Sequence, residues 1–188
     1  VTEGVVNLFE EDFKHYGQLP YGWTQEFVES QTEWIANPIG YQSHPPAPQQ
    51  GDWHAFFWKD TPKNDGVRTT HTTRLVSPQI NMGQSPGNIT LHFWHHMQNY
   101  SGDQDTLKVL YRNTIEGEWT EIAHYTQDTP QWTQRSIVLP EPSTTYYIAF
   151  EGKARFGYGI CIDNMWITDE SAAPIITTEG SLPFGYVG

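Results

Sequence analysis

The sequence predicts an all-β domain with its strands spaced as in a two-sheet antiparallel sandwich. Three observations carry this. No window of twelve or more residues holds apolar side chains at three-and-four spacing without a Gly, a Pro or a β-branched cluster breaking it. Alternation of apolar and polar residues, by contrast, is frequent. The 188 residues also include 16 glycines and 13 prolines, which suit many short turns better than long helices.

Taken in order, VVNLFEEDF gives the first strand, HAFFW the next and TTRLVSP a third. In NITLHFWHHMQNY, alternation puts Ile89, Leu91, Phe93, His95 and Met97 on one face and Thr90, His92, Trp94, His96 and Gln98 on the other. DTLKVLYRN follows, with Leu107, Val109 and Tyr111 together and a turn at 101–104, so these two segments read as neighbouring antiparallel strands. GEWTEIAHY, QRSIVLP, TTYYIAFEGK and GICIDNMWIT complete the set at sandwich-like intervals. Between the first strand and His54, NPIGYQSHPPAPQQGD holds prolines and glycines that cannot sit inside a central sheet, and the whole stretch reads as a long irregular loop. One all-β domain is expected over 1–170. The tail SAAPIITTEGSLPFGYVG, 171–188, changes character and reads as a linker into something else. No internal repeat of fixed period is visible.

Charge excludes several partners. With 22 acidic against 10 basic residues, the formal net charge is -12. So acidic a chain with scattered cations lacks the positive stripe that displaces counterions from a polyanion, so nucleic acid is not expected as a partner. Docking on anionic lipid is disfavoured for the same reason, and no run approaches the ~18 apolar residues of a membrane span, so membrane insertion is not expected either. An aromatic content of 14% with only 17% charged residues argues for an ordered core. The single cysteine, Cys161, forbids an internal disulfide. A bound ion is the alternative staple, and the acidic surplus suits a compartment rich in calcium. Val1 in place of a Met is expected of a processed or excised piece.

Catalytic signatures are missing. There is no HExxH among the eight histidines, and His95 and His96, being adjacent on a strand, point to opposite sides. No GxSxG elbow occurs, and Cys161 lies in the apolar run GICI, where a buried, inert thiol is expected. Pairs such as Glu10 and Asp12 arise by chance in any acidic chain. The expectation is a domain that is not an enzyme.

Three segments, LFEEDFKHYGQLPYGWT, TTRLVSPQINMG with LHFWHHM, and FEGKARFGYGICIDNMWIT, resemble the cleaved-adhesin family, whose shape is related to MAM-type jelly rolls. The resemblance runs from about Leu8 to Thr168. It implies a two-sheet β-sandwich of jelly-roll type, structural calcium, and an adhesive or binding role on a secreted or cell-surface bacterial protein. PIITTEGSLPFGYVG is similar to the opening of a bacterial immunoglobulin-type repeat, which implies a following module and neighbouring domains on the same polypeptide.

Two carboxylates stand out in this context. Alternation sets Glu11 on the face of Phe9 and Phe13, and Asp163 on the face of Met165 and Ile167, where a lone charge is costly unless paired or metal-bound. In the related modules the first and last strands lie together and both supply calcium oxygens. The resemblance therefore implies a Ca2+ site of Glu11 and Asp163, extended by Asp52, Asn164 and the carbonyl of His54, since calcium takes six to eight hard oxygens. The alternative is that both carboxylates accept backbone hydrogen bonds at a sheet rim. SGDQD offers a second metal candidate in Asp103 and Asp105, against a solvated hairpin turn. His92, Trp94 and His96 project together and could receive a sugar ring, with Trp53 and Trp58 as further platform residues. Against this, Trp94 could belong to the core of a sandwich covered on both sides. The expected partner is an extracellular or host protein, or a glycan. A carbohydrate-binding module appended to a hydrolase and a plain spacer remain alternatives.

Overall fold

The structure is a computed structural model and describes residues 4–60, 63–64, 67–83 and 88–172. Thirteen strands and no helix occur among them: β1 (Gly4–Glu11), β2 (Thr24–Glu29), β3 (Ile35–Asn37), β4 (His54–Phe57), β5 (Lys63–Asn64), β6 (Val67–Arg68), β7 (His71–Val76), β8 (Ile89–Met97), β9 (Thr106–Arg112), β10 (Thr120–Tyr125), β11 (Thr129–Val138), β12 (Tyr147–Ala154) and β13 (Ile160–Ala172). No described helix is long and apolar enough to cross a membrane.

Two open antiparallel sheets face each other. One has the order β11-β8-β13-β4-β3, with β1 also on β13, and the other the order β10-β9-β12-β7-β2; β5 and β6 form a separate ribbon. The chain passes repeatedly from one sheet to the other, which is the wrapping of a jelly roll. β13 is the pivot. Its first residues pair with β4 on one side, Ile160 to Ile162 against Phe57 to Ala55. Beyond the bulge that same edge is taken by β1, with Met165 opposite Glu11 and Ala172 opposite Gly4.

The expected strands are present, and the faces read for 89–97 hold: Ile89, Leu91, Phe93, His95 and Met97 are all buried. Two expectations need correction. β8 and β9 are not neighbours, because each lies in a different sheet. The turn exists, with Ser101 and Gly102 both at positive φ and Tyr100 bridged to Asp103, but it carries the chain across the sandwich. Likewise the stretch before His54 holds β2 and β3. β2 sits at a sheet edge and buries little, so its sequence TQEFVE lacks a strong apolar alternation. Residues 173–188, where a linker or a following module is expected, lie outside the described residues.

The core is built from rings. Trp34, Tyr146, Phe13, Phe57, Phe93 and Phe150 are all fully buried, Tyr111 stacks on Tyr146 at 5.3 Å, and Phe93 meets Phe150 edge-on at 5.1 Å. Trp34 stacks on Phe57 and sends its indole N–H to the Thr73 carbonyl, tying the two sheets together. A Cβ at Gly152 would stand 2.8 Å from both Trp34 and Phe57, so only glycine lets β12 pass this pair.

Candidate functional site

The outer face of the six-stranded sheet carries the residues that alternation pushes away from the core. Across β1, β13, β8 and β11 runs the row Glu10, Trp166, His92 and Ser136, and beside it the row Asp163, Trp94 and Gln134. His92 stacks on Trp166 at 4.8 Å with ring planes 15° apart. Its two nitrogens lie 2.8 Å from Ser136 Oγ and 3.2 Å from Thr168 Oγ1, so the imidazole is fixed in orientation. Trp94 and Trp166 are partly exposed and stand on diagonal positions of neighbouring strands, close enough to form one platform. Trp94 is not part of the core cluster.

The rest of this face is covered. Loop 38–53 crosses it as a strap, with His44 Nδ1 3.0 Å from Gln98 Oε1, His44 packed on Tyr158, and the Trp132 indole N–H donating to Ala47 O at 3.0 Å. Beneath the strap His54 and His96 flank the Trp132 ring at 5.6 and 5.9 Å. Burial pushes their pKa values down to about 3 and about 4, so both are neutral packing residues. His96 is therefore not a platform residue, although it shares an edge direction with Trp94. His95, on the opposite side as expected, packs on Tyr125. Cys161 is fully buried under the same strap, and burial raises its thiol well above the ordinary range, so it is inert.

Asp163 explains how the strap is held, and here the sequence expectation is corrected. Asn164 has a φ of 44° and the β8 register slips by one residue between Asp163 and Trp166. That bulge inverts the alternation, so Ile160 and Ile162 before it and Met165 and Ile167 after it all reach the core, while Asp163 faces outward with Cys161. Its carboxylate accepts N–H bonds from Gln49 at 2.9 Å, Gln50 at 3.0 Å and Asn164 at 2.7 Å. Burial nonetheless raises its pKa to about 7, against the lowering effect of those three donors.

Glu11 does face inward, opposite Met165, as expected. It accepts the Phe13 N–H at 2.8 Å and lies 3.5 Å from His15 Nε2, with burial raising its pKa. It opens into a polar cleft of about 470 Å3 lined by Glu10, Glu11, Asp12, Lys14, His15, Gln50 and Asn164. Of the expected calcium ligands, Glu11 and Asn164 thus line one cleft; Asp163 does not line it, but its carboxylate accepts the N–H of Gln50, which does, and the Asp12 carboxylate of the cleft adds to the rise in its pKa. Asp52 is exposed, and His54 is buried on the strap side. The cleft's carboxylates and amide oxygens are donors of the kind a hard cation takes. Lys14 pairs with Asp12 there, and among the described residues no three of His, Cys, Asp and Glu converge as a metal-binding group.

The second acidic cluster also serves the main chain. Asp105 is fully buried and accepts N–H bonds from Arg155, Gly157 and Gly159 at 2.6, 3.0 and 2.9 Å, so it clamps the β12–β13 turn. Asp103 closes the turn opposite Tyr100. Trp58 stacks on Tyr41 at 3.9 Å and donates to Gly157 O, and Trp53 packs near Gly17. Trp166 was not among the expected platform residues. Its position was readable, since Met165 and Ile167 inward require Trp166 outward.

A family model described as MAM domain, meprin/A5/mu, matches residues 9–171. The chain belongs to the MAM domain family. Among solved structures, this MAM domain is similar to the K3 cleaved adhesin domain of Lys-gingipain from Porphyromonas gingivalis, at 20% identity, with 88% of this chain and 99% of that one covered and a TM-score of 0.63. It is also similar to the xylan-binding CBM22-1 domain of Xyn10C from Paenibacillus barcinonensis, at 10% identity, 92% and 100% coverage and a TM-score of 0.55. A family 61 carbohydrate-binding module solved with β-1,4-galactotriose matches at 14% identity, 85% and 99% coverage and a TM-score of 0.54. No curated protein matches the chain. The likenesses establish the jelly-roll fold expected from the adhesin resemblance.

Proposed function

We propose that this MAM domain is a non-catalytic binding module of a larger secreted or surface bacterial protein, and that it receives a glycan on the platform of Trp94, His92 and Trp166. The observation that supports this most directly is the pairing of two partly exposed indoles on one sheet face, beside the exposed side chains of Gln134 and Ser136. Flat apolar rings bordered by hydrogen-bonding groups suit the faces and hydroxyls of a sugar. Xylan and galactotriose named for two fold relatives add weight to a glycan over other ligands. A glycan array tests the reading: at least one neutral glycan should bind, and Trp94→Ala and Trp166→Ala should each weaken it about tenfold, given the ~1.4 kcal/mol scale of one ring contact. Hits that survive both changes would discredit the platform.

A protein partner is the second reading, favoured by Tyr16 and Tyr21, which are 92% and 100% exposed in the loop after β1. Exposed tyrosines of this kind anchor protein interfaces. Loss of adhesion on Tyr16→Ala and Tyr21→Ala with intact glycan binding favours it.

Calcium belongs to the proposal as a staple. Glu11 and Asp12 with the amide oxygens of Gln50 and Asn164 would hold the ion, joining the end of β1 to β13 and to the end of the strap. An ion bound only by the folded state at a hundred times its Kd adds about 2.7 kcal/mol. Chelation should therefore lower Tm by about 5–10 °C, and Glu11→Gln should remove most of that difference. An unchanged melting curve with chelator speaks against the ion.

A further inference from the structure

The outer face of the five-stranded sheet holds a second cleft, of about 560 Å3, that crosses all five strands and includes Glu29, Lys108, Glu151, Lys153 and Arg155. Its charge is unlike that of the chain. Five of the chain's ten basic residues, Arg74, Lys108, Arg112, Lys153 and Arg155, belong to this face against four acidic ones, Glu26, Glu29, Glu121 and Glu151, although the whole chain carries -12.

Donors and acceptors in the cleft are not equally committed. Glu29 Oε2 accepts the Thr70 and Thr72 hydroxyls, both at 2.9 Å, and these bonds hold its carboxyl below the usual range. Glu151 accepts the Arg74 Nε–H at 2.7 Å. The acceptors are thus occupied from within the sheet. Among the described residues Lys108 pairs with Glu121, at 2.8 Å, and Lys153 approaches Glu29 loosely at 3.6 Å, leaving each ammonium with spare N–H groups. Arg155 is exposed and makes no ion pair among the described residues; its backbone is fixed because its N–H is held by Asp105. A ligand that satisfies this surplus must be rich in acceptors and negatively charged. No Phe, Tyr or Trp lines the cleft, where the His124 imidazole is the one ring, so it lacks the large rings that anchor a protein partner. Threonine hydroxyls from Thr72, Thr106 and Thr126 border it instead.

We infer that this cleft binds a carboxylate-bearing sugar chain, with Arg155 and Lys153 taking the uronate carboxylate and Lys108 and the threonines contacting neighbouring hydroxyls. It is a site separate from the aromatic platform and independent of it. The test is calorimetric titration with trigalacturonate, its methyl ester, which has the same backbone without charge, and a sulfated disaccharide. Trigalacturonate should bind, the ester at least tenfold more weakly, and affinity should fall as salt rises from low to high concentration. Arg155→Gln and Lys153→Gln, with folding checked by circular dichroism, should each lower trigalacturonate affinity about tenfold. Three outcomes overturn the assignment: no binding of trigalacturonate, ester binding as tight as the acid, or affinity unchanged in both folded variants. Tighter binding of the sulfated sugar overturns the carboxylate specificity.

Discussion

On the five-stranded sheet the outward side chains carry their charges in mutual contact, Glu26 with Arg74 and Arg112, Arg74 with Glu151, and Lys108 with Glu121. On the six-stranded sheet the outward side chains are rings, and the one carboxylate placed centrally among them, Asp163, is fully buried. The first face can stand in water as it is, because partly exposed ion pairs are hydrated as well as paired. Apolar rings in a row cannot, so half of the second face is roofed by a proline-rich strap and the remainder is left as the platform. The same buried carboxylate that would be a liability becomes the peg for that roof. A charge is useful on each face for opposite reasons: on one it meets another charge, on the other it collects main-chain N–H groups.

Removing the peg should separate the two faces most clearly. Asp163→Ala leaves Gln49 and Gln50 N–H groups unmatched over a buried surface and is expected to destabilise by about 3 kcal/mol in urea titration. Trp132 fluorescence should shift to the red as the strap lifts. An effect below that of a surface ion-pair change would refute the peg.

Acidity sharpens the contrast further. The Asp163 carboxyl titrates near 3.8 when unfolded and at about 7 when folded, so the folded state holds the extra proton between those values. Its contribution favours folding at the acid end and is lost as pH rises toward 7. Asp163→Asn keeps a neutral group there at every pH. Measured from pH 4 to 8, stability of the variant relative to the parent should therefore climb up to about pH 7 and level off; a flat difference contradicts a buried, reluctant carboxylate.

The smallest effect is expected on the other face. Glu151→Ala breaks a pair with Arg74, which keeps Glu26 as a partner at 3.4 Å, so the loss should stay within about 1 kcal/mol. A larger loss in the same titration would show the ladder to be more than a solvated surface.

Much of the architecture was legible because strand alternation is a local property. The faces of β8, the inward set of β9 and the outward projection of Trp94 follow from counting by two. What counting could not give were the places where the chain breaks step. At Asn164 a left-handed residue inserts one extra position, and this single event moved Asp163 from the expected core side to the strap side. The pairing of β8 with β13 and not with β9 is likewise a matter of which sheet a turn enters, and the sequence SGDQD fits a turn in either case. Asp105 read as a solvated turn residue or a metal ligand because nothing in its neighbours announces the N–H groups of Arg155, Gly157 and Gly159, fifty or more positions away. Lys108 lies between Leu107 and Val109 and could have been placed outward, but its company with Lys153 and Arg155 depends on β9 lying beside β12.

The position of β13 carries a consequence for how the domain is assembled. It is the last described strand made on the ribosome, yet it occupies the middle of its sheet, with β8 on one edge and both β4 and β1 on the other. Until it emerges, the earliest described strand has no partner and two others, β4 and β8, await a neighbour. Folding must therefore be late and largely all at once, driven by contacts between the most distant parts of the polypeptide.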